Sequence, residues 1–235
     1  MANFTLAIVP AAGRGHRMGS NIPKQFLTLG GLPVLVHTLR VLEAADSVGD
    51  IILVVPEADR EFCLREIVTR HRFSKVNKIV AGGERRQDSV RHGLAAIDGN
   101  PQLVLVHDAV RPFLTREMIG EVLEQAAKHG AAVVGIPMRD TVKQVGADRL
   151  IECTVDRRTL WLAQTPQAFQ FALLREAHRK AEQEGIQATD DAQLVEQLGH
   201  RVALVEGSTE NIKITRPEDL AIGEAILAAR RSREA

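Results

Sequence analysis

The sequence predicts an open, mostly parallel α/β sheet sandwiched between two layers of helices, and three observations carry that prediction. Short runs rich in Val, Ile and Leu recur along the 235-residue chain: TLAIVP, DIILVVP, KVNKIVAG, QLVLVHD, AAVVGIP and RVALVEG. Most are continuous rather than alternating, as strands buried on both faces must be. Segments of helical period separate them, and strand-helix-strand alternation folds into three layers through right-handed crossovers.

In chain order, TLAIVP is the first strand, and the connection after it, from Ala11 to Leu32, far exceeds the usual about two to six residues, which marks it as functional. PVLVHTLRVLEAAD follows as a helix with Pro33 in its first turn. EADREFCLREIVTRH is a second helix, and TREMIGEVLEQAAKHG a third that ends on Gly130. Residues 140–156, DTVKQVGADRLIECTVD, break the rhythm with two β-like runs, Thr141 to Val145 and Leu150 to Val155, around the turn-rich GADR. That pattern is a hairpin. Because it interrupts the alternation it should project as an arm from a single domain spanning 1–235, and a two-stranded arm is too weak to stand alone in water. A second copy of the chain is the natural surface for it. ATDDAQLV starts a helix capped by Thr189 or Asp190. TRPE at 215–218 has the form of a capping box, Thr215 with Glu218, opening a last helix whose charged tail RRSREA is expected to fray.

Lys and Arg total 30 and Asp and Glu total 30, so no global field draws the protein to nucleic acid or to an anionic membrane. Any anion site has to be local. Cys63 and Cys153 lack metal-ligand spacing and fit reduced thiols. No segment has the about 18 apolar residues of a membrane helix and the N-terminus has no signal-peptide form, so a cytoplasmic location is expected.

In such a sheet, ligands gather beyond the carboxyl ends of the strands, where four unusual sequences fall. The opening loop carries Gly13, Gly15 and Gly19 with Arg14, His16, Arg17 and Lys24, a backbone able to approach closely and cations suited to phosphate. Its spacing matches neither the dinucleotide fingerprint nor the phosphate loop. GGERRQDSV, 82–90, offers amides at a helix start, with Ser89 as a further partner, and would serve a phosphate or a base edge as well as a plain turn. VHDAVRP, 106–112, sends Asp108 out of an apolar strand with Arg111 three positions on, which suits a ribose or a metal-phosphate contact and equally a surface ion pair. NIKITRPEDL, 211–220, sets Lys213 in a short β-like run, on the face opposite Ile212 and Ile214, toward either solvent or the same pocket. Arg157, which follows the arm, has no structural explanation as ready as the capping role open to Thr189.

The ordered set PAAGxGxRM, PKQF, GGxxRxxSV, VHDAxRP, RDTxK, TxDRxxLW, TPQ, TDDA and NIKxTRPEDL, running from Val9 to Leu220, resembles the 2-C-methyl-D-erythritol 4-phosphate cytidylyltransferase family. The resemblance implies a Rossmann-like nucleotidyltransferase fold and CMP transfer from CTP to the alditol phosphate, with loss of pyrophosphate. It implies that Ala11, Ala12 and Gly13 lie against the nucleotide and that Arg17 and Lys24 stabilise the transition state. Gly83, Glu84 and Ser89 would read cytosine, Asp108 would contact the nucleotide and Arg111 would support that pocket. Arg157, reaching from the arm of a homodimer partner, and Lys213 would hold the acceptor's phosphate in line, while Thr141, Thr165 and Thr189 would line the alditol pocket. Mg²⁺ would be carried on the CTP phosphates, with no protein ligand named. A cytidylyltransferase for another alditol phosphate, such as ribitol 5-phosphate, and a nucleotide-binding regulator without turnover are the alternatives.

Overall fold

Leu6 and Ile8 face one helical layer while Ala7 and Val9 face the other, so the first strand is apolar on both sides and its sequence shows no alternation. The computed structural model describes residues 5–13 and 23–234. Its central sheet has seven strands in the order β11-β7-β10-β6-β1-β4-β5. These are β1 (Thr5–Pro10), β4 (Asp50–Val55), β5 (Val76–Ala81), β6 (Leu103–Val106), β7 (Ala131–Pro137), β10 (Trp161–Gln170) and β11 (Ala203–Glu206). All the pairings are parallel except those of β10, which runs antiparallel between β6 and β7.

One face packs α1 (Val34–Ala44), a composite helical segment and α4 (Arg116–His129). The opposite face packs α3 (Arg86–Ala95), α5 (Phe171–Glu184) and α6 (Asp191–Glu196). The composite segment is a 3-10 turn at Glu57–Asp59, α2 (Arg60–Phe62) and a π-helical stretch at Cys63–Thr69. Thr115 caps α4 by accepting from the Met118 amide, and Gly130 ends it at φ +88°, a left-handed geometry that favours glycine. Asp190, not Thr189, caps α6 through the Gln193 amide. A smaller core of Leu29, Val34, Val110, Phe113 and Ile214 joins the short hairpin β2 (Thr28–Leu29) and β3 (Leu32–Pro33) to α7 (Pro217–Glu234).

The arm is present as β8 (Val142–Val145) paired antiparallel with β9 (Ile151–Val155), a two-stranded sheet separate from the main one. Val145, Leu150 and Ile151 on it are exposed, as are Trp161 and Leu162 where the chain re-enters the sheet.

Several expectations change. Pro33 precedes α1 instead of sitting in its first turn, and the opening connection acquires structure at its far end, a 3-10 turn at Lys24–Phe26 and the β2-β3 hairpin. Lys213 lies on an irregular segment and not in a strand; Ile214 is still pinned, its amide donating to the Val110 carbonyl. Asp219, not Glu218, closes the start of α7, accepting from the amides of Thr215 and Arg216 and from the Thr215 hydroxyl. The charged tail continues α7 because Arg230 and Arg233 both pair with Glu210. The pattern assigned no element to 156–169, where β10 runs. Pro166 falls in the register shift between Ala163 and Gln167 on the β7 side, and pairing with β6 begins at Gln167, so its missing N–H breaks no ladder bond.

Candidate active site

From β1 the chain steps outward through β4 and β5, then returns to β6 on the other side of β1. The carboxyl ends of β1 and β6 therefore flank a topological switch point, where an open α/β sheet leaves a crevice for ligand. A cavity occupies it. Ala11, Ala12 and Gly13 line it from the end of β1, Gly83, Glu84 and Ser89 from beyond β5, and Asp108 from beyond β6. Lys24 and Lys213, distant in sequence, line it too, together with Arg85 and Arg86.

Close packing holds the two glycine-bearing loops together. The Ala11 amide donates to the Val54 carbonyl at 2.7 Å, and a Cβ on Gly82 would lie 2.2 Å from the Ala12 Cβ. Nothing larger than glycine fits there without moving one loop. Gly83 donates its amide to Ser89 Oγ at 3.2 Å, and that hydroxyl donates to the Arg85 carbonyl at 3.2 Å. Ser89 thus braces the loop at the start of α3, and the Gly83 amide is not bare. The Lys24 side chain comes close to Gly13 beyond the end of β1: a Cβ on Gly13 would be 3.7 Å from its Cε.

Five charged or ionisable side chains form a continuous chain that starts on the wall of this cavity and runs into the protein. Lys213 Nζ is 2.6 Å from Asp108 Oδ2, Arg86 Nε is 2.7 Å from Asp108 Oδ1, and Arg86 Nη1 is 2.8 Å from Asp191 Oδ2. His178 Nε2 stands 3.0 Å from the other oxygen of Asp191. Burial alone would raise the Asp108 carboxyl, but the adjacent Arg86 and Lys213 outweigh it and hold the acid well below the usual carboxylate range. Asp191 follows the same logic: burial pushes up, Arg86 and His178 push down, and the net shift is downward. For Arg86 burial works to lower the guanidinium, while Asp191 and Asp108 carry it above its ordinary value.

A second cavity opens on the far side of the same three groups, Arg86, Asp108 and Lys213, and is lined further by Arg111, Thr165 and Thr189. Its wall is polar and mostly self-satisfied. Thr165 Oγ1 accepts from the Asp108 amide at 3.0 Å and meets His107 Nδ1 at 3.1 Å, while His107 Nε2 meets the Arg111 carbonyl at 3.1 Å. Burial pulls His107 down to about 4, so the ring is neutral at pH 7. A neutral ring facing a carbonyl through Nε2 carries its proton there, so Nδ1 accepts from the Thr165 hydroxyl. Thr165 is thereby engaged in fixing the turn that presents Asp108. Arg111 donates from Nη1 to the Asn211 carbonyl at 2.7 Å, tying the Asp108 turn to the segment that carries Lys213. Thr189 donates its hydroxyl to Gln193 at 3.1 Å.

Thus Lys24, Asp108 and Lys213 meet at one crevice, as do the predicted loop residues of the first cavity, and Arg111, Thr165 and Thr189 line the second. Thr141 and Arg157 line neither: Thr141 is exposed before β8, and Arg157 sits exposed on a 3-10 turn at Arg157–Thr159, its guanidinium donating to the Arg139 carbonyl. Arg17 lies outside the described residues. Sequence reasoning missed Arg86, Asp191 and His107. The arginine pair Arg85-Arg86 was a signal without a direction; Arg85 pairs with its neighbour Asp88, and Arg86 reaches Asp108 and Asp191. Among the described residues no group of three or more His, Cys, Asp or Glu side chains could hold a metal ion, and no helix is long and apolar enough to cross a membrane.

Residues 5–229 match the sequence model of the family described as IspD, 2-C-methyl-D-erythritol 4-phosphate cytidylyltransferase. The chain is 48% identical over 224 residues to the 2-C-methyl-D-erythritol 4-phosphate cytidylyltransferase of Geobacter metallireducens, covering 94% of this chain and 96% of that one. It is 48% identical over 222 residues to the protein of that name from Syntrophus aciditrophicus, covering 94% and 95%. The fold is similar to the 4-diphosphocytidyl-2C-methyl-D-erythritol synthase structure from Anaerococcus prevotii, with a TM-score of 0.86 at 32% identity over 97% of each chain. It is also similar to the 2-C-methyl-D-erythritol 4-phosphate cytidylyltransferase structure from Thermus thermophilus, with a TM-score of 0.76 at 38% identity over 94% of this chain and 97% of that one.

Proposed function

Because the chain belongs to the 2-C-methyl-D-erythritol 4-phosphate cytidylyltransferase family, an enzyme family that makes an isoprenoid precursor from CTP, we propose that its crevice carries out CMP transfer through the residues gathered there. An oxygen of the acceptor's phosphate attacks the α-phosphorus of CTP, a new P–O bond forms, and the bond to the β-phosphate oxygen breaks to release pyrophosphate. Two polyanions have to meet in line, so positioning and fixed positive charge are what the protein supplies. No nucleophilic serine or cysteine is required, since the acceptor brings its own oxygen.

The observation that carries this reading is the convergence of Lys24 and Lys213 on the cavity that Ala12, Gly13 and Gly83 line. Ala11, Ala12 and Gly13 bear on the nucleotide, Gly83 and Glu84 read the cytosine edge with Ser89 bracing them, and Asp108 meets the ribose. Lys24, with Arg17, stabilises charge at the α-phosphate. The acceptor occupies the second cavity, Lys213 holding its phosphate and Thr189 facing its hydroxyls, with Thr165 and Arg111 behind.

Thr141 and Arg157 fit the acceptor site of a partner copy. The arm exposes Val145, Leu150 and Ile151, and Trp161 and Leu162 are exposed beside it, an apolar surface that a homodimer would bury. Arg157 then reaches across to the partner's acceptor phosphate.

Mg²⁺ fits as an ion carried on the triphosphate. Both oxygens of Asp108 are already met by cations, and the one other carboxylate in the first lining is Glu84. Phosphate oxygens and water would supply the ligands, as this ion prefers, and it would neutralise phosphate charge there. Membership of this family supports a cytoplasmic location.

Pyrophosphate release from CTP, 2-C-methyl-D-erythritol 4-phosphate and Mg²⁺ tests the proposal. Turnover that stops with EDTA and is absent with ribitol 5-phosphate is expected; equal turnover with ribitol 5-phosphate would reject the acceptor assignment.

A further inference from the structure

Resting on the reading of Lys213 as the group that holds the acceptor's phosphate, we propose that Arg86 is a positioning residue that frees Lys213 to exchange Asp108 for that phosphate. In the structure Lys213 is occupied: its ammonium lies 2.6 Å from Asp108. An arriving phosphate has to take it from a carboxylate only 8% exposed, and a buried carboxylate stripped of its sole cation is strongly unfavourable. Asp108 has a second cation. Arg86 Nε holds Oδ1 at 2.7 Å while Lys213 holds Oδ2, so departure of Lys213 leaves the acid compensated.

The two cations differ in their freedom to move. Lys213 is a point charge on a flexible stem, on an irregular segment, with its side chain 36% exposed. Arg86 is a planar fork held at both ends, by Asp108 and by Asp191 at 2.8 Å, and Asp191 is itself fixed by His178. One partner can leave and the other cannot. Arg86, Asp108 and Lys213 line both cavities, so the exchange takes place on the wall between nucleotide and acceptor. The other charged or ionisable groups facing Asp108 are His107 and Arg111 of its own turn, and Lys24, Glu84 and Arg85 line the same cavity.

The test uses the whole protein, with inorganic phosphate titrated by calorimetry and acceptor kcat/KM measured beside it. Phosphate binding reads the exchange without turnover, so failure of the enzymatic reading shows separately as a wild type that binds phosphate and releases no pyrophosphate. Arg86→Gln should weaken phosphate binding and acceptor kcat/KM by more than tenfold. Arg86→Lys should recover much of the loss. Adding Asp108→Asn to Arg86→Gln should restore phosphate binding, because Lys213 then has no buried acid to leave. If the double variant binds phosphate no better than Arg86→Gln, Arg86 acts by its own charge or by structure alone, and the inference fails. Should Arg86→Gln not fold, Asp191→Asn loosens the far anchor; a smaller loss in the same direction is expected, and wild-type phosphate binding and acceptor kcat/KM overturn the inference.

Discussion

Lys213 Nζ lies 2.6 Å from Asp108 Oδ2, although the two residues come from opposite halves of the chain and neither stands in a strand or helix. The contact joins the turn after β6 to the segment before α7, and it stands where the two cavities meet.

Lys24 lines the first cavity of that crevice, the proposed nucleotide site. A preorganised cation acts most where charge develops, so Lys24→Ala should lower kcat by about 10² to 10³ while changing the KM for CTP much less. Steady-state kinetics with CTP varied decide it, and an unchanged kcat would remove Lys24 from the chemistry.

Arg157 and Thr141 stand on or beside the arm and outside both cavities of their own chain. If the arm completes a partner's site, Arg157→Ala should chiefly raise the KM for the acceptor, and mixing it with Lys24→Ala should restore activity, since some mixed dimers hold one intact site. Light scattering should give twice 25.8 kDa. Mixed dimers that form without any return of activity would rule out the shared site.

Gly82 is the tightest joint between the loops that follow β1 and β5, with a Cβ placed there falling 2.2 Å from Ala12 Cβ and 2.9 Å from Ser89 Oγ. Gly82→Ala has to push the β1 and β5 loops apart, which should raise the KM for CTP more than tenfold with a smaller effect on the acceptor. Gly120→Ala is the control, because a Cβ there meets nothing within 4 Å. Equal CTP affinity in the two variants would contradict the close-packing account.

Acid stability should report the buried carboxylates. Asp108 and Asp191 are both held below the ordinary carboxylate range in the fold, so they bind fewer protons there than in the unfolded chain. Their contribution is present above about pH 4, the unfolded value, and is lost as pH falls through the folded values. Urea midpoints should be flat from neutral pH to about 5 and decline below about 4. Asp191→Asn should cost about 3 kcal/mol at pH 7, the scale of a broken buried pair, and should make the acid decline shallower. An unchanged decline would assign the acid sensitivity to other groups.

Much of the fold was legible because β1, β4 and β6 are buried on both faces, which forces continuous apolar runs, and because α4 carries its own stop signals in Thr115 and Gly130. β10 was not legible. Its amides Gln164 and Gln167 are buried and its proline sits in a bulge, so a central strand has the composition of a loop. Lys213 was misplaced for the opposite reason: Ile212 and Ile214 alternate around it like a strand, yet Ile214 packs into the small core beneath α7 and its amide bonds a turn carbonyl.

The sequence by itself determined the layered α/β architecture, the hairpin arm and the segments able to meet phosphate, since apolar period, turn residues and local charge are all written along the chain. Only the tertiary structure decided which of those charges meet. It paired Arg85 with its neighbour Asp88 and sent Arg86 to Asp108 and Asp191, committed Ser89 and Thr165 to bracing loops, and left Thr141 and Arg157 out of these two cavities. The physical reason is that an ion pair between residues over a hundred positions apart, such as Arg86 with Asp191, depends on how the layers stack, and no local pattern encodes that distance.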